Sequence, residues 1–252
     1  MTLAAPLANP SLPGELASIA DPGSKPEQLV SGLEFVEGPV WMADRDTLLF
    51  SDIIADTMYC WSESRGLSRY RQPSHMANGN TLDLDGRVLS CEHATSRVSR
   101  TDLSGNYEVI ASRFQGRELN SPNDIVVRTD GSIYFTDPNS GRGERYGVRR
   151  AQELDFQGVY RLDPESLKLT LLVDDFSKPN GLCFSLDESL LFVNDTDHQH
   201  IRVFDVFADG SIGNGRIWAG TGGDKPGVAD GMKFDSAGHL YCCGSGGIHA
   251  VS

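Results

Sequence analysis

The sequence predicts an all-β protein, a β-propeller assembled from short antiparallel blades. Three observations point there. A short phrase recurs along the chain, each copy carries a hairpin signal, and the 3.6-residue apolar period of a surface helix is hard to find.

The phrase opens with a carboxylate or amide, usually followed by Gly or Asp, and runs into an apolar strand. Its copies are Glu37-Gly38-Pro39-Val40-Trp41, Asn78-Gly79-Asn80-Thr81-Leu82, Asn123-Asp124-Ile125-Val126-Val127, Asn180-Gly181-Leu182-Cys183-Phe184 and Asp230-Gly231-Met232-Lys233-Phe234. They begin 41, 45, 57 and 50 residues apart, a spacing that suits one multi-stranded blade per copy. A turn follows each copy: Ala43 to Asp46, Asp85-Gly86, Asp130-Gly131, Asp187-Glu188 and Ser236 to Gly238. Asp-Gly between apolar runs favours a tight hairpin, because such turns need positive φ.

The return strands are Thr47 to Phe50, Arg87 to Leu89, Ser132 to Phe135, Leu190 to Val193 and His239 to Tyr241. Four of them run into an acid, Asp52, Glu92, Asp137 or Asp195, and the fifth into Cys242-Cys243. Gly158 to Leu162 and Ile201 to Phe204 supply further strands. Gly141 to Gln157 reads as a long charged loop, and Thr221 to Lys225 as a loop between blades. Residues 1–27, rich in Ala, Pro and Ser, form a lead-in, and residues 28–252 the propeller domain. A ring must close to avoid open strand edges. Either the leading residues complete five blades, or a sixth blade is incomplete. Nothing after Gly247 resembles the third and fourth strands of a blade, so the expectation is a six-bladed β-propeller with an incomplete C-terminal blade.

Composition narrows the function. The chain has 252 residues, 39% hydrophobic and 23% charged, which is ordinary for a globular protein and excludes bulk disorder. A net charge of −13 repels nucleic acid and anionic membrane surfaces. No apolar run is long enough for a spanning helix, and Met1 to Ala20 lacks the pattern of a signal peptide. Five cysteines, Cys60, Cys91, Cys183, Cys242 and Cys243, form no CxxC pair and suit a reducing, cytoplasmic compartment. The sequence carries no signal for an oligomeric state.

In a propeller the innermost strands surround a channel, so residues at one repeat phase meet at its mouth. Glu37, Asn78, Asn123, Asn180 and Asp230 share that phase. Two carboxylates and three amides make an oxygen-donor site suited to Ca²⁺, Mg²⁺ or Mn²⁺. The competing reading is that Asn and Asp merely cap turns at strand starts.

Phe35 to Trp41, Ser121-Pro122-Asn123-Asp124, Lys178 to Leu182 and Ala229-Asp230-Gly231 together resemble the senescence marker protein/gluconolactonase/luciferin-regenerating enzyme family, from about Gln28 onward. The resemblance implies six blades, a divalent metal held by Glu37, Asn123, Asn180 and Asp230, and hydrolysis of sugar lactones. Ca²⁺ is the first candidate, with Mg²⁺, Mn²⁺ or Zn²⁺ as alternatives, and the partner is a small sugar lactone. A metal would polarise the carbonyl and lower the pKa of water. Asp230 is then the catalytic residue, as ligand and general base, or alternatively as a direct nucleophile.

Asn78, His93, Ser121 and Asn139 are candidate substrate-binding residues. For Glu92-His93 a buried hydrogen-bonding pair is the competing role, and for Asp137 and Asn139 a strand terminus. Asp195, Asp197, His198 and His200 could chelate zinc, although a solvated loop fits that pattern better. Neither a G-x-S-x-G elbow nor a phosphate loop is present. The alternatives are an organophosphate or aryl-ester hydrolase using the same metal, and a non-catalytic metal-binding propeller.

Overall fold

The computed structural model describes residues 27–251. The lead-in expected over residues 1–27 therefore lies, except for its last residue, outside the described residues. Five blade sheets follow one another, each an antiparallel meander in chain order, with a small two-stranded sheet, Arg113–Phe114 against Arg117–Glu118, between the second and third. The first blade comprises Val36–Met42, Thr47–Asp52, Thr57–Ser62 and Gly66–Arg71; the second Ala77–Leu82, Val88–Glu92, Arg97–Thr101 and Tyr107–Ala111. The third comprises Ile125–Val127, Ile133–Asp137, Gln157–Leu162 and Leu169–Phe176; the fourth Pro179–Phe184, Leu190–Asp195, His200–Val206 and Ile212–Gly220. Met232–Phe234, Leu240–Gly244 and Gly247–Val251 make the fifth.

The propeller thus has five blades among the described residues, and the expectation of six is corrected. The expectation also overlooked the third strand of the last blade. Gly247–Val251 pairs back along Leu240–Gly244, from Gly244 opposite Gly247 to Leu240 opposite Val251. A tight turn through Gly246 and Gly247, both with positive φ, joins them and leaves no polar loop to mark the boundary.

Successive side chains point to opposite faces of a blade, and the apolar ones on both faces fill the spaces between neighbouring blades. Leu49 and Met58 of the first blade meet Ala77 and Val88 of the second. Leu89 and Val98 meet Ile125, Phe135 and Tyr160 of the third. Tyr134 and Val159 meet Leu182, Leu191 and Phe204 of the fourth. Phe192, Ile201 and Val203 meet Met232 and Leu240 of the fifth. Between the fifth and first blades lies instead a cavity of about 740 Å³, with Leu48, Phe50 and Trp61 on one side and Met232, Tyr241 and Ile248 on the other.

The acids that end the return strands are buried fasteners. Asp52 accepts the N–H groups of Glu34 and Phe35, 2.9 and 3.0 Å away. Asp137 accepts those of Asn120 and Ser121, both at 2.8 Å, and Asp195 those of Ser177 and Lys178 at 2.8 and 3.2 Å. Each carboxylate ties the approach to its innermost strand onto the neighbouring strand, satisfying donors the ladder leaves open. Glu92 departs from this pattern: it accepts from the Ser99 and Thr95 hydroxyls at 2.7 Å and pairs with Arg71 at 3.2 Å. Asp137 therefore has a strand-ending role.

Candidate functional site

Glu37, Asn78, Asn123, Asn180 and Asp230 all line this same cavity, where it reaches the inner ends of the blades. Local backbone features bring them there. In the first, second and fourth blades the register between innermost and return strands slips between Glu37 and Val40, Ala77 and Asn80, and Pro179 and Leu182. The bulges free the site residue from regular pairing and re-aim its side chain.

The glycine after the site residue does a separate job. A Cβ at Gly38 would come within 2.1 Å of the Asn78 carbonyl oxygen, one at Gly79 within 2.4 Å of the Asn123 oxygen, and one at Gly181 within 2.3 Å of the Asp230 oxygen. Each glycine thus admits the backbone of the next blade's site residue. The Gly79 N–H donates to the Asn123 carbonyl at 2.8 Å. Side chains also pin the carbonyls of the site residues. The Asn80 amide, on the same innermost strand, donates to Asn78 O at 2.9 Å; from the return strands Thr136 Oγ1 donates to Asn180 O at 2.7 Å and the Asn194 amide to Asp230 O.

The three amides are hydrogen-bonded in a row. Asn78 Nδ2 donates to Asn123 Oδ1 at 2.8 Å, Asn123 Nδ2 to Asn180 Oδ1 at 2.6 Å, and Asn180 Nδ2 to Thr196 Oγ1 at 3.0 Å. Beside them stand three carboxylates. Burial, with repulsion from Asp230 and Asp124, pushes Glu37 up to about 8. Burial also raises Asp230, repulsion from Asp124 adding to the effect and hydrogen bonding from Asn180 opposing it. Asp124 is raised by burial, with Lys233 opposing.

Asp124 escaped the sequence reading. It holds the place that glycine takes in the other four copies, and that substitution was the signal. Its carboxylate accepts the N–H groups of Ile125 and Leu182 at 2.9 and 3.1 Å, linking the third and fourth blades at the cavity wall. Lys233 also lines the cavity, on the fifth blade's innermost strand.

The remaining candidates are placed differently. His93 is 1% exposed and lies behind Asn78, with its Nε2 3.2 Å from Asn78 Nδ2. Burial lowers it to about 4, so the ring is neutral near pH 7. Ser121 is fully buried, donating to the Pro138 carbonyl at 2.5 Å and accepting from Gly141 N at 2.9 Å. Asn139 is absent from the cavity lining, and its amide donates to Gln152 at 3.3 Å. Asp195, His198 and His200 do come together on the fourth blade, with ligand atoms within 4.8 Å of one another, but none of them lines the cavity. Asp197 pairs with Lys178 at 2.9 Å. All five cysteines are free thiols, with Cys91, Cys183 and Cys242 buried.

Fold and site together define a β-propeller with a largely apolar cavity that carries a cluster of carboxylates and amides at the inner ends of the blades. The chain belongs to the SMP-30/Gluconolactonase/LRE-like family, whose profile matches residues 35–252. It is 29% identical to the gluconolactonase of Zymomonas mobilis over 93% of this chain and 71% of that protein. It is 24% identical to the pentonolactonase XacC of Haloferax volcanii, over 81% of this chain and 65% of the relative. A solved structure of a gluconolactonase from Xanthomonas campestris superposes with a TM-score of 0.79 at 32% identity, covering 86% of this chain and 72% of that one.

Proposed function

We propose that the protein is a divalent-metal-dependent lactonase acting on sugar lactones, of gluconolactonase type. The observation that carries the reading is the meeting of Glu37, Asn123, Asn180 and Asp230 at one cavity, with oxygen as the shared donor type. Relatives named gluconolactonase and pentonolactonase support the substrate class. The carboxylates fit a cation: Glu37 and Asp230 are half-buried and repel one another, and a dication would relieve both the repulsion and the desolvation cost. Oxygen donors of this kind suit Ca²⁺ first, then Mg²⁺ or Mn²⁺, with Zn²⁺ the least matched.

Glu37, Asn123, Asn180 and Asp230 would hold the ion, which when bound polarises the lactone carbonyl and acidifies water. Asp230 accepts the proton of the attacking water and returns it to the departing ring oxygen, so that one water and one lactone give one hydroxy acid. Glu37 balances charge and stays fixed. The Asn123 and Asn180 amides, each hydrogen-bonded to a neighbour, present oxygens whose directions are set before substrate arrives. The free thiols are consistent with a reducing, cytoplasmic setting.

The test is acid release from glucono-δ-lactone in a pH-stat, using chelator-treated protein with Ca²⁺, Mg²⁺, Mn²⁺ or Zn²⁺ restored one at a time. Hydrolysis above the spontaneous rate that returns with a metal and is lost in Asp230→Asn is the expected result. Silence with every metal, from protein shown to be folded, overturns the reading.

A further inference from the structure

The amide row has a direction, and His93 stands at its head. A carbonyl oxygen only accepts hydrogen bonds, so His93 donates from Nδ1 to Tyr146 O, 2.8 Å away. In a neutral ring Nε2 is then an acceptor. Asn78 Nδ2 lies 3.2 Å from that nitrogen and 2.8 Å from Asn123 Oδ1. Both N–H bonds of the Asn78 amide are thereby used. Its Oδ1 has no hydrogen-bond partner among the described residues, on a residue that is 6% exposed and lines the cavity. Each later amide oxygen spends one lone pair on the row and keeps another.

The opposite tautomer would undo this. With the hydrogen on Nε2, His93 would need an acceptor, and Asn78 would turn its oxygen back toward the ring. Its NH₂ group would then face the cavity, and Asn123 Oδ1 would lose its donor. N–H groups directed at a cation repel it, and an amide without a partner has no fixed orientation.

The fold holds the imidazole closely. A Cβ at Gly141 would come 2.6 Å from His93 Cβ and Cγ, so only glycine lets that loop lie against the ring. Arg150 donates to the His93 carbonyl at 2.9 Å, and Val148 N–H to Gly141 O at 3.0 Å, which fixes the loop carrying Tyr146. The long loop of the third blade is thus a brace for one side chain of the second.

We propose that His93 is a positioning residue: through Asn78 it sets the polarity of the amide row, so that oxygen rather than N–H faces a cation in the cavity. The inference rests on the cation reading given above, and it makes Asn78 a further oxygen donor beside Glu37, Asn123, Asn180 and Asp230.

Two measurements test it without any turnover assay. The first is ¹⁵N NMR of His93 in the wild-type protein, where a hydrogen on Nδ1 is expected and one on Nε2 overturns the proposal. The second is calorimetric titration with Ca²⁺ alone. His93→Phe, which offers Asn78 no acceptor, should bind about tenfold more weakly. His93→Gln can both donate to Tyr146 O and accept from Asn78, and should recover to within about threefold of wild type. Equal Ca²⁺ affinity in wild type and His93→Phe refutes the positioning role. Wild-type protein that binds none of Ca²⁺, Mg²⁺, Mn²⁺ or Zn²⁺ removes the cation reading itself, a different failure; if another of these ions binds instead, the same comparison is made with that ion. Should His93→Phe not fold, the wild-type tautomer and the Gln variant still decide.

Discussion

Replacing Glu37 by Gln tests the electrostatics of the cavity most directly. In chelator-treated protein burial and the neighbouring acids hold Glu37 at about 8, against an ordinary value of 4.5. The folded state therefore keeps a proton that the unfolded state has released. Below pH 4.5 both states are protonated and Glu37 adds no penalty. As pH rises from 4.5 toward 8, stability falls, and above 8 the penalty is constant. At about 1.4 kcal/mol per pH unit the full difference would reach about 5 kcal/mol, and water entering the cavity lowers the expected effect to about 2 kcal/mol. Urea unfolding of both proteins in chelator, at pH 5 and pH 8, measures it. Wild type should lose about 2 kcal/mol more than Glu37→Gln over that interval. Asp137, which Glu37 does not touch, titrates equally in both and cancels, and the difference includes the repulsion of Glu37 by Asp230 and Asp124. Adding Ca²⁺ at 100 times its Kd should then stabilise wild type by about 2.7 kcal/mol and the variant far less. A wild-type-to-variant difference that does not change with pH would refute the assignment of Glu37 as a buried, repelled carboxylate.

Three further substitutions address the frame around the site. Gly79→Ala would drive a methyl into the Asn123 carbonyl and the Asp124 Cα, and should cost about 1–3 kcal/mol in urea unfolding while also weakening Ca²⁺ binding. Unchanged stability would mean that the second and third blades are not in contact there. Asp137→Asn places an NH₂ group against backbone donors that now meet a carboxylate, and should lower stability by about 1–3 kcal/mol. Hydrogen exchange at Asn120 and Ser121 should speed up, and unaltered protection of those amides would contradict the fastener role. Leu49→Ala, at a fully buried position between the first two blades, should cost about 2–5 kcal/mol by thermal or urea unfolding, with Ca²⁺ affinity unchanged once corrected for the unfolded fraction.

What the sequence disclosed followed from repetition. Because every blade reuses one hairpin, the innermost and return strands could be placed from the Asn-Gly, Asp-Gly and apolar pattern alone, and the residues at one phase had to converge. The same logic foresaw the acids at the ends of the return strands, although not that three of them would bind backbone N–H groups across to the preceding segment. The fifth blade is where repetition failed as a guide. Its third strand, Gly247–Val251, follows a glycine turn too short to announce itself, and the blade count was mistaken for that reason.

His93 shows a different kind of gap. Glu92-His93 looked from sequence like either a substrate contact or a buried pair, because nothing local reveals that Tyr146, 53 residues away, supplies its acceptor. A neutral imidazole bonded to a carbonyl on one side has only its other nitrogen to offer, and that nitrogen can only receive. The direction of the amide row thus depends on a contact that repeat phase does not encode. Repeat phase placed Glu37, Asn78, Asn123, Asn180 and Asp230 around one axis, while the loop outside the repeat determines which atoms of the amides face it.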